Sequence, residues 1–288
     1  MEFLSPRSWA EALAAKAEHP GALPIAGGTD VMVEVNFDRC RPPALLDLTK
    51  VAELSEWAPD NGSLRVGAGV TYARVIAELG KLLPGLAIAS RTVGSPQIRN
   101  RGTVGGNLGS ASPAGDAHPP LLAGGAAVEV ESVRGRRVVP LEDFFTGPKR
   151  NVLEPDELIA AFLARPAAGP QQFSKVGTRN AMVIAVASFA LALDPERQQV
   201  GTGIGSAAPT PRRAGQAERF LEGELAAGGL WASPRPLTPR LVNHFSELVA
   251  SAASPIDDVR GTTAYRRHAL AVMARRALTW AWSDYLRS

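Results

Sequence analysis

The sequence predicts an α+β protein built in two parts. Helix and strand signatures alternate through the first half, and paired strands followed by long helices make up the C-terminal third. Between them lies a Pro- and Ala-rich segment, LARPAAGPQQ (163–172), which reads as a boundary. The expected domains are therefore residues 1–165 and 170–288. At 288 residues, 45% of them hydrophobic, the chain is long enough to bury a sizeable core.

In chain order, SWAEALAAKAEH reads as a helix, with Ser8 and Glu11 spaced as a capping box. ALPIAGGTD reads as a short strand running into a glycine turn, and ALLDLT and LRVGAG as further strands. TYARVIAEL is a helix capped by Thr71, and KLLPGLAIASRTVG is helical in part. AAVEVESVRGRRVVPL alternates and turns at Arg134–Gly135, the pattern of a hairpin. ASFALALD and QQVGTGIGSA read as paired strands. TPRLVNHFSELVASAA and TTAYRRHALAVMARRALTWAWSDYL read as long helices, started by Thr238–Pro239 and by Thr262.

The charges exclude some functions and the cysteine count excludes others. A net charge of +3 without a long basic block gives no support to nucleic-acid binding. No apolar run approaches the ~18 residues needed to span a bilayer, so membrane insertion is not expected. The N-terminus lacks a basic leader with an apolar core, and a cytoplasmic protein is the expectation. Cys40 is the only cysteine, so the chain cannot form an internal disulfide, an iron–sulfur site or a thiolate zinc site of its own.

Two glycine sites are the informative motifs. In PIAGGTD, Pro24, Ile25 and Ala26 lead into Gly27 and Gly28, then Thr29 and Asp30. In RGTVGGN, Thr103 and Val104 precede Gly105, Gly106 and Asn107. On a turn without Cβ atoms, several N–H groups can converge on anionic oxygens, and a dinucleotide pyrophosphate is a natural guest. Ordinary tight turns between strands are the bland alternative. Neither site matches G-x-G-x-x-G or the P-loop pattern, so neither a Rossmann nor an ATP-binding reading is supported.

PIAGGTDVMVEV, QIRNRGTVGGNLGSASPAGDAHPPLLA, FSKVGTRNAMVIAVASFAL and PIDDVRGTTAYRRHALAVMARRAL occur in this order over nearly the whole chain. Together they resemble the FAD-binding medium subunit of the molybdenum hydroxylases, the family of xanthine dehydrogenase and carbon monoxide dehydrogenase. The resemblance implies an N-terminal FAD-binding half of two α/β pieces, of the PCMH or vanillyl-alcohol-oxidase-like type. A C-terminal α+β domain then closes over the flavin. It implies that Ala26, Gly27, Gly28, Thr29 and Asp30, entered through Pro24 and Ile25, cradle the FAD pyrophosphate. Thr103, Gly105, Gly106 and Asn107, with Val104 among them, would line the other side. Asp116 matches a carboxylate that contacts FAD through hydroxyl groups, which suits a group that only accepts hydrogen bonds. The apolar run after the second motif would be the wall behind the cofactor.

The same resemblance implies partners: an iron–sulfur small subunit, a molybdenum-cofactor large subunit, and NAD+ or another electron acceptor. Two departures stand out. Some members carry a lysine at the strand opening the C-terminal domain, where this chain has Ala185, and many have a lysine in place of Asn36. Lys175 is a candidate to reach the flavin instead, or a solvated strand residue. A non-redox nucleotide-binding or assembly module on the same scaffold is the alternative those departures favour. His118 has no nucleophile or metal set around it, and His244 and His268 read as polar-face residues. The arginines of 265–278 read as a solvated face or a docking surface, and WAW (280–282) as an interface anchor or core.

Overall fold

The computed structural model describes residues 1–288. The chain opens with β1 (Glu2–Leu4), α1 (Trp9–Glu18), β2 (Leu23–Ile25), α2 (Val31–Asn36) and β3 (Ala44–Asp47). The strands form a parallel sheet in the order β1-β3-β2, and the middle strand is buried along its whole length. Ser8 Oγ caps α1 by accepting from the Glu11 N–H, and the Glu11 carboxylate reaches back to the N–H of Arg7 rather than of Ser8.

Next come β4 (Trp57–Asp60), β5 (Ser63–Gly67), α3 (Tyr72–Glu78), α4 (Pro84–Arg91), α5 (Pro96–Arg101), α6 (Val104–Ser110) and α7 (His118–Ala123). They are followed by β6 (Ala127–Ser132), β7 (Gly135–Pro140), α8 (Leu141–Phe144), β8 (Phe145–Gly147), β9 (Arg150–Asn151) and β10 (Leu158–Ala164). An antiparallel sheet in the order β4-β5-β10-β6-β7 forms the second layer of this half. Its centre, β10, reads LIAAFLA and is buried on both faces, so it shows no alternation of apolar and polar residues. The two sheets and their helices share one core of 33 buried residues, running from Ala12 to Ala164.

The remainder is β11 (Gln171–Val176), β12 (Ala187–Asp194), β13 (Gln199–Gly205), α9 (Gly215–Ala227), α10 (Pro239–Ser251) and α11 (Thr263–Tyr285). The strands form an antiparallel meander. The three helices cover one of its faces and enclose a second core of 26 buried residues. α10 and α11 start where the threonines predict, with the Thr238 and Thr262 hydroxyls accepting from Leu241 and Tyr265 N–H groups.

The other face of the meander rests on α4 and α7, with Ala89, Ala123, Phe173, Ala190 and Ala192 packed between the halves. β13 permits this because it is bare there. A Cβ at Gly201 would lie 1.9 Å from the Ala123 carbonyl oxygen, and one at Gly203 2.0 Å from that of Pro119. The apolar run after the second glycine motif is therefore not a wall behind the cavity described below. It is α7, wedged between the two halves, and none of its residues faces that cavity.

Candidate functional site

A cavity of about 660 Å³ opens along the first half, with one side closed by the C-terminal domain. Its size lies in the range of sites for small ligands and cofactors, roughly 300–1,000 Å³. Both glycine motifs line it. Pro24, Ala26, Gly27, Gly28, Thr29 and Asp30 come from the β2–α2 connection, and Thr103, Gly105, Gly106 and Asn107 from α6 and its cap.

The motifs touch each other. A Cβ on Gly27 would fall 2.0 Å from the Arg101 carbonyl oxygen, so only glycine allows the two segments to approach. Gly28 adopts φ 71°, a left-handed conformation natural to glycine, and this turns the chain toward α2. The N–H groups of Gly27, Gly28, Thr29 and Asp30 donate to no acceptor in the protein, although Gly27, Gly28 and Thr29 are half-buried. Half-buried unpaired donors beside a cavity are matched to a ligand that accepts hydrogen bonds.

The second motif is not a turn but the start of a helix, α6. Thr103 Oγ1 accepts from the Gly106 N–H at 2.8 Å and so caps α6. Tyr72 N–H donates to the Gly102 carbonyl, and Thr71 bridges Thr103, which pins the motif to the start of α3. Gly105 and Gly106 do different work. A Cβ on Gly105 would meet Ala68 at 2.5 Å, whereas one on Gly106 would meet only Thr103 Oγ1, at 3.0 Å, and otherwise point into open space.

Asp116 sits on the loop between α6 and α7, buried at the cavity edge. Its Oδ2 accepts from Lys175 Nζ at 2.6 Å, while Oδ1 is buried without any partner. Burial pushes its carboxyl up to about 6 against the opposing pull of the Lys175 ammonium. Lys175 uses its other protons on the carbonyls of Thr92 and Val183, at 2.9 and 3.1 Å. It is thus neither a solvated strand residue nor a lining residue: its reach is spent on Asp116 and on two loops.

Two further predicted site residues, Val104 and Ile25, lie off the cavity. Val104 points into the core beneath α6, and Ile25, half-buried on β2, does not face the cavity. Asn36 is exposed at the end of α2 and also lies off the cavity, as does the buried Ala185. His118 is fully buried, with Nε2 on the Asn107 carbonyl at 3.1 Å and its ring against Phe145. Burial holds its pKa down at about 4, so it is a neutral strut of the Asp116 loop.

The structure also supplies lining residues that the motifs did not reveal. Tyr72 is one, its hydroxyl held protonated by burial and by nearby Asp116. Others are Met182, Val183 and Ile184, on the loop between β11 and β12. Met182 and Ile184 are 55% and 57% exposed, an apolar lip at the cavity mouth. The single signal for them in sequence is the apolar run MVI after the polar stretch GTRNA.

Unpaired N–H groups, a glycine surface, an unpaired carboxylate oxygen and an apolar lip fit a long cofactor with anionic, hydroxylated and flat aromatic parts. The comparisons agree. Residues 1–163 match the family model described as the FAD binding domain in molybdopterin dehydrogenase, and residues 172–281 the CO dehydrogenase flavoprotein C-terminal domain. The chain is 32% identical over 282 residues to the xanthine dehydrogenase FAD-binding subunit of Escherichia coli O157:H7, covering 94% of this chain and 92% of that one. It is 34% identical over 235 residues to the nicotinate dehydrogenase FAD-subunit of Eubacterium barkeri, covering 77% and 79%. Among solved structures, the reconstituted CO dehydrogenase from Oligotropha carboxidovorans superposes with a TM-score of 0.90 at 26% identity, over 99% of this chain and 98% of that one.

Proposed function

Since the chain belongs to the FAD-binding subunits of the molybdenum hydroxylases, an oxidoreductase family, we propose that it relays electrons from a partner iron–sulfur subunit to NAD+ or another acceptor. The observation that carries this reading is the meeting of both glycine motifs and the unpaired Asp116 Oδ1 on one cavity. In the proposed seating, the N–H groups of Gly27 to Asp30 hold the pyrophosphate, and α6 supports it through Gly105, Gly106 and Asn107. Asp116 Oδ1 accepts from cofactor hydroxyls, while Lys175 holds the carboxylate in place through Oδ2. Met182 and Ile184 shield the flat ring system from water.

When bound, FAD supplies the capacity to take up electrons singly and release them in pairs. This chain's own residues bind, orient and exclude solvent. A single cysteine cannot ligate the clusters that would deliver electrons, so those and the molybdenum cofactor reside on two partner chains, and the molybdenum chain sets substrate choice.

The test is co-expression with an iron–sulfur chain and a molybdenum-cofactor chain. The three should co-purify with about one FAD, released intact on denaturation, since neither glycine motif holds a His or Cys to attach it. Substrate should bleach the flavin in the complex and leave it unchanged in the isolated chain, and adding NAD+ should restore the colour if NAD+ is the acceptor. Substrate oxidation by the isolated chain would contradict the division of labour.

A further inference from the structure

The C-terminal segment DVRGTTAYRRHAL places Arg266 on the first turns of α11, where the neighbouring Arg267 and His268 are exposed. Arg266 is instead only 4% exposed, and it does not take part in a solvated basic face. Its Nη1 donates to two carbonyls, Val186 at 2.8 Å and Ser206 at 2.5 Å. Its Nη2 donates to Asp258 Oδ1 at 2.6 Å. Asp258 is itself fixed, since Oδ1 also accepts from the N–H groups of Arg260 and Gly261. Gly261 is packed so closely that a Cβ there would lie 2.9 Å from Val186 Cγ1.

Each carbonyl leads to one side of the FAD cavity. Val186 closes the neck of the β11–β12 loop, because its N–H donates to the Val176 carbonyl at 2.8 Å. That loop carries the lip residues Met182, Val183 and Ile184. Ser206 donates its N–H to the Pro113 carbonyl at 2.8 Å. Pro113 belongs to the loop that presents Ser112, Ala114, Gly115 and Asp116 to the cavity. One guanidinium therefore grips the root of the C-terminal lip and, through Ser206, the Asp116 loop of the other half.

We infer that Arg266, held by Asp258, is a positioning residue for FAD, setting the lip of the cavity against its Asp116 loop. The inference rests on the proposed seating of FAD in that cavity. A planar fork suits the task, since it serves two carbonyls and a carboxylate at once. Loosening it frees the lip to move and uncovers the flavin without touching any atom that contacts the cofactor.

The test uses the full chain with Arg266→Gln, Arg266→Lys, Asp258→Asn, the exposed control Arg267→Gln, and Gly106→Val as a reference inside the cavity. FAD affinity, quenching of bound-flavin fluorescence by iodide, and apoprotein melting are measured for each. Arg266→Gln should weaken FAD about tenfold and raise iodide quenching of the flavin that remains. Arg266→Lys should recover part of the loss, because it keeps a positive charge beside Asp258; Asp258→Asn should fall between, and Arg267→Gln should match wild type. Wild-type affinity and quenching in folded Arg266→Gln, with binding lost in Gly106→Val, would overturn the positioning role and leave the seating intact. Normal binding in Gly106→Val as well would instead reject the seating. Should Arg266→Gln fail to fold, Asp258→Asn decides: unchanged affinity and quenching there overturns the inference.

Discussion

Asp116 and Lys175, 59 residues apart in sequence, meet at 2.6 Å across the seam between the two halves of the molecule. Both side chains are about nine-tenths buried, at 10% and 9% exposure. Removing one member of such a pair leaves the other charge buried and uncompensated, which costs about 3–5 kcal/mol. Lys175→Met should lower apoprotein stability by about that amount, since it also strands the Thr92 and Val183 carbonyls. The double variant Lys175→Met/Asp116→Asn should regain part of the loss. Chemical denaturation of the four proteins in the cycle checks this, and additive losses would show that the pair is not coupled.

The same carboxylate gives a pH dependence whose sign is fixed. Folding raises the Asp116 pKa to about 6, so between the ordinary aspartate range and about 6 the folded chain binds a proton that the unfolded chain has released. Its contribution to apoprotein stability therefore declines as pH rises through that window. Neutral, buried His118, held at about 4, acts in the opposite sense over an overlapping window, being destabilising as pH falls. The readout is thus the difference between wild type and Asp116→Asn, not the wild-type profile alone.

FAD affinity should move the other way, because cofactor hydroxyls donate to the ionised carboxylate. Affinity should rise with pH up to about 6, by at most about tenfold per unit, and level off above it. FAD titrations from about pH 5 to about pH 8 should show this in wild type and a flat profile in Asp116→Asn. A profile unchanged by the substitution would mean that another group sets it.

Gly27→Ala should damage the fold as well as the site. Its Cβ would fall 2.0 Å from the Arg101 carbonyl oxygen, and the obstacle is backbone, which cannot rotate away. Gly105→Ala meets Ala68 at 2.5 Å and should behave alike. Each should cost at least about 1–3 kcal/mol. Melting of the apoproteins measures this, and melting like wild type would show that the two segments separate freely.

Much of this was legible wherever the determinant was local. Ser8, Thr71, Thr238 and Thr262 each cap the helix they announced, because a cap is a hydroxyl and an N–H a few residues apart. The strand β10 was not legible: burial on both faces removes the alternation that marks a strand. The glycines reached one cavity as expected, since close approach can be read from missing side chains. Tyr72 reaches the cavity through the packing of α3 on the second motif within the first half, while the Met182–Ile184 lip and the Asp116–Lys175 pair depend on segments that meet only after both halves have docked, so no spacing encodes them. Arg266 falls on the buried stripe of α11 with Ala269, Leu270 and Met273, which sets it apart from exposed Arg267, but its partners Val186 and Ser206 lie 80 and 60 residues away, so its role is not legible.

The most direct test of the seating is FAD titration of Gly106→Val. Gly106 is exposed on α6, and a side chain there meets only Thr103 Oγ1 before entering the cavity. The seating of FAD against α6 predicts a folded apoprotein that melts close to wild type and binds FAD at least about tenfold more weakly. Wild-type FAD affinity in the folded Gly106→Val protein would contradict it, placing the cofactor against some other surface of the chain.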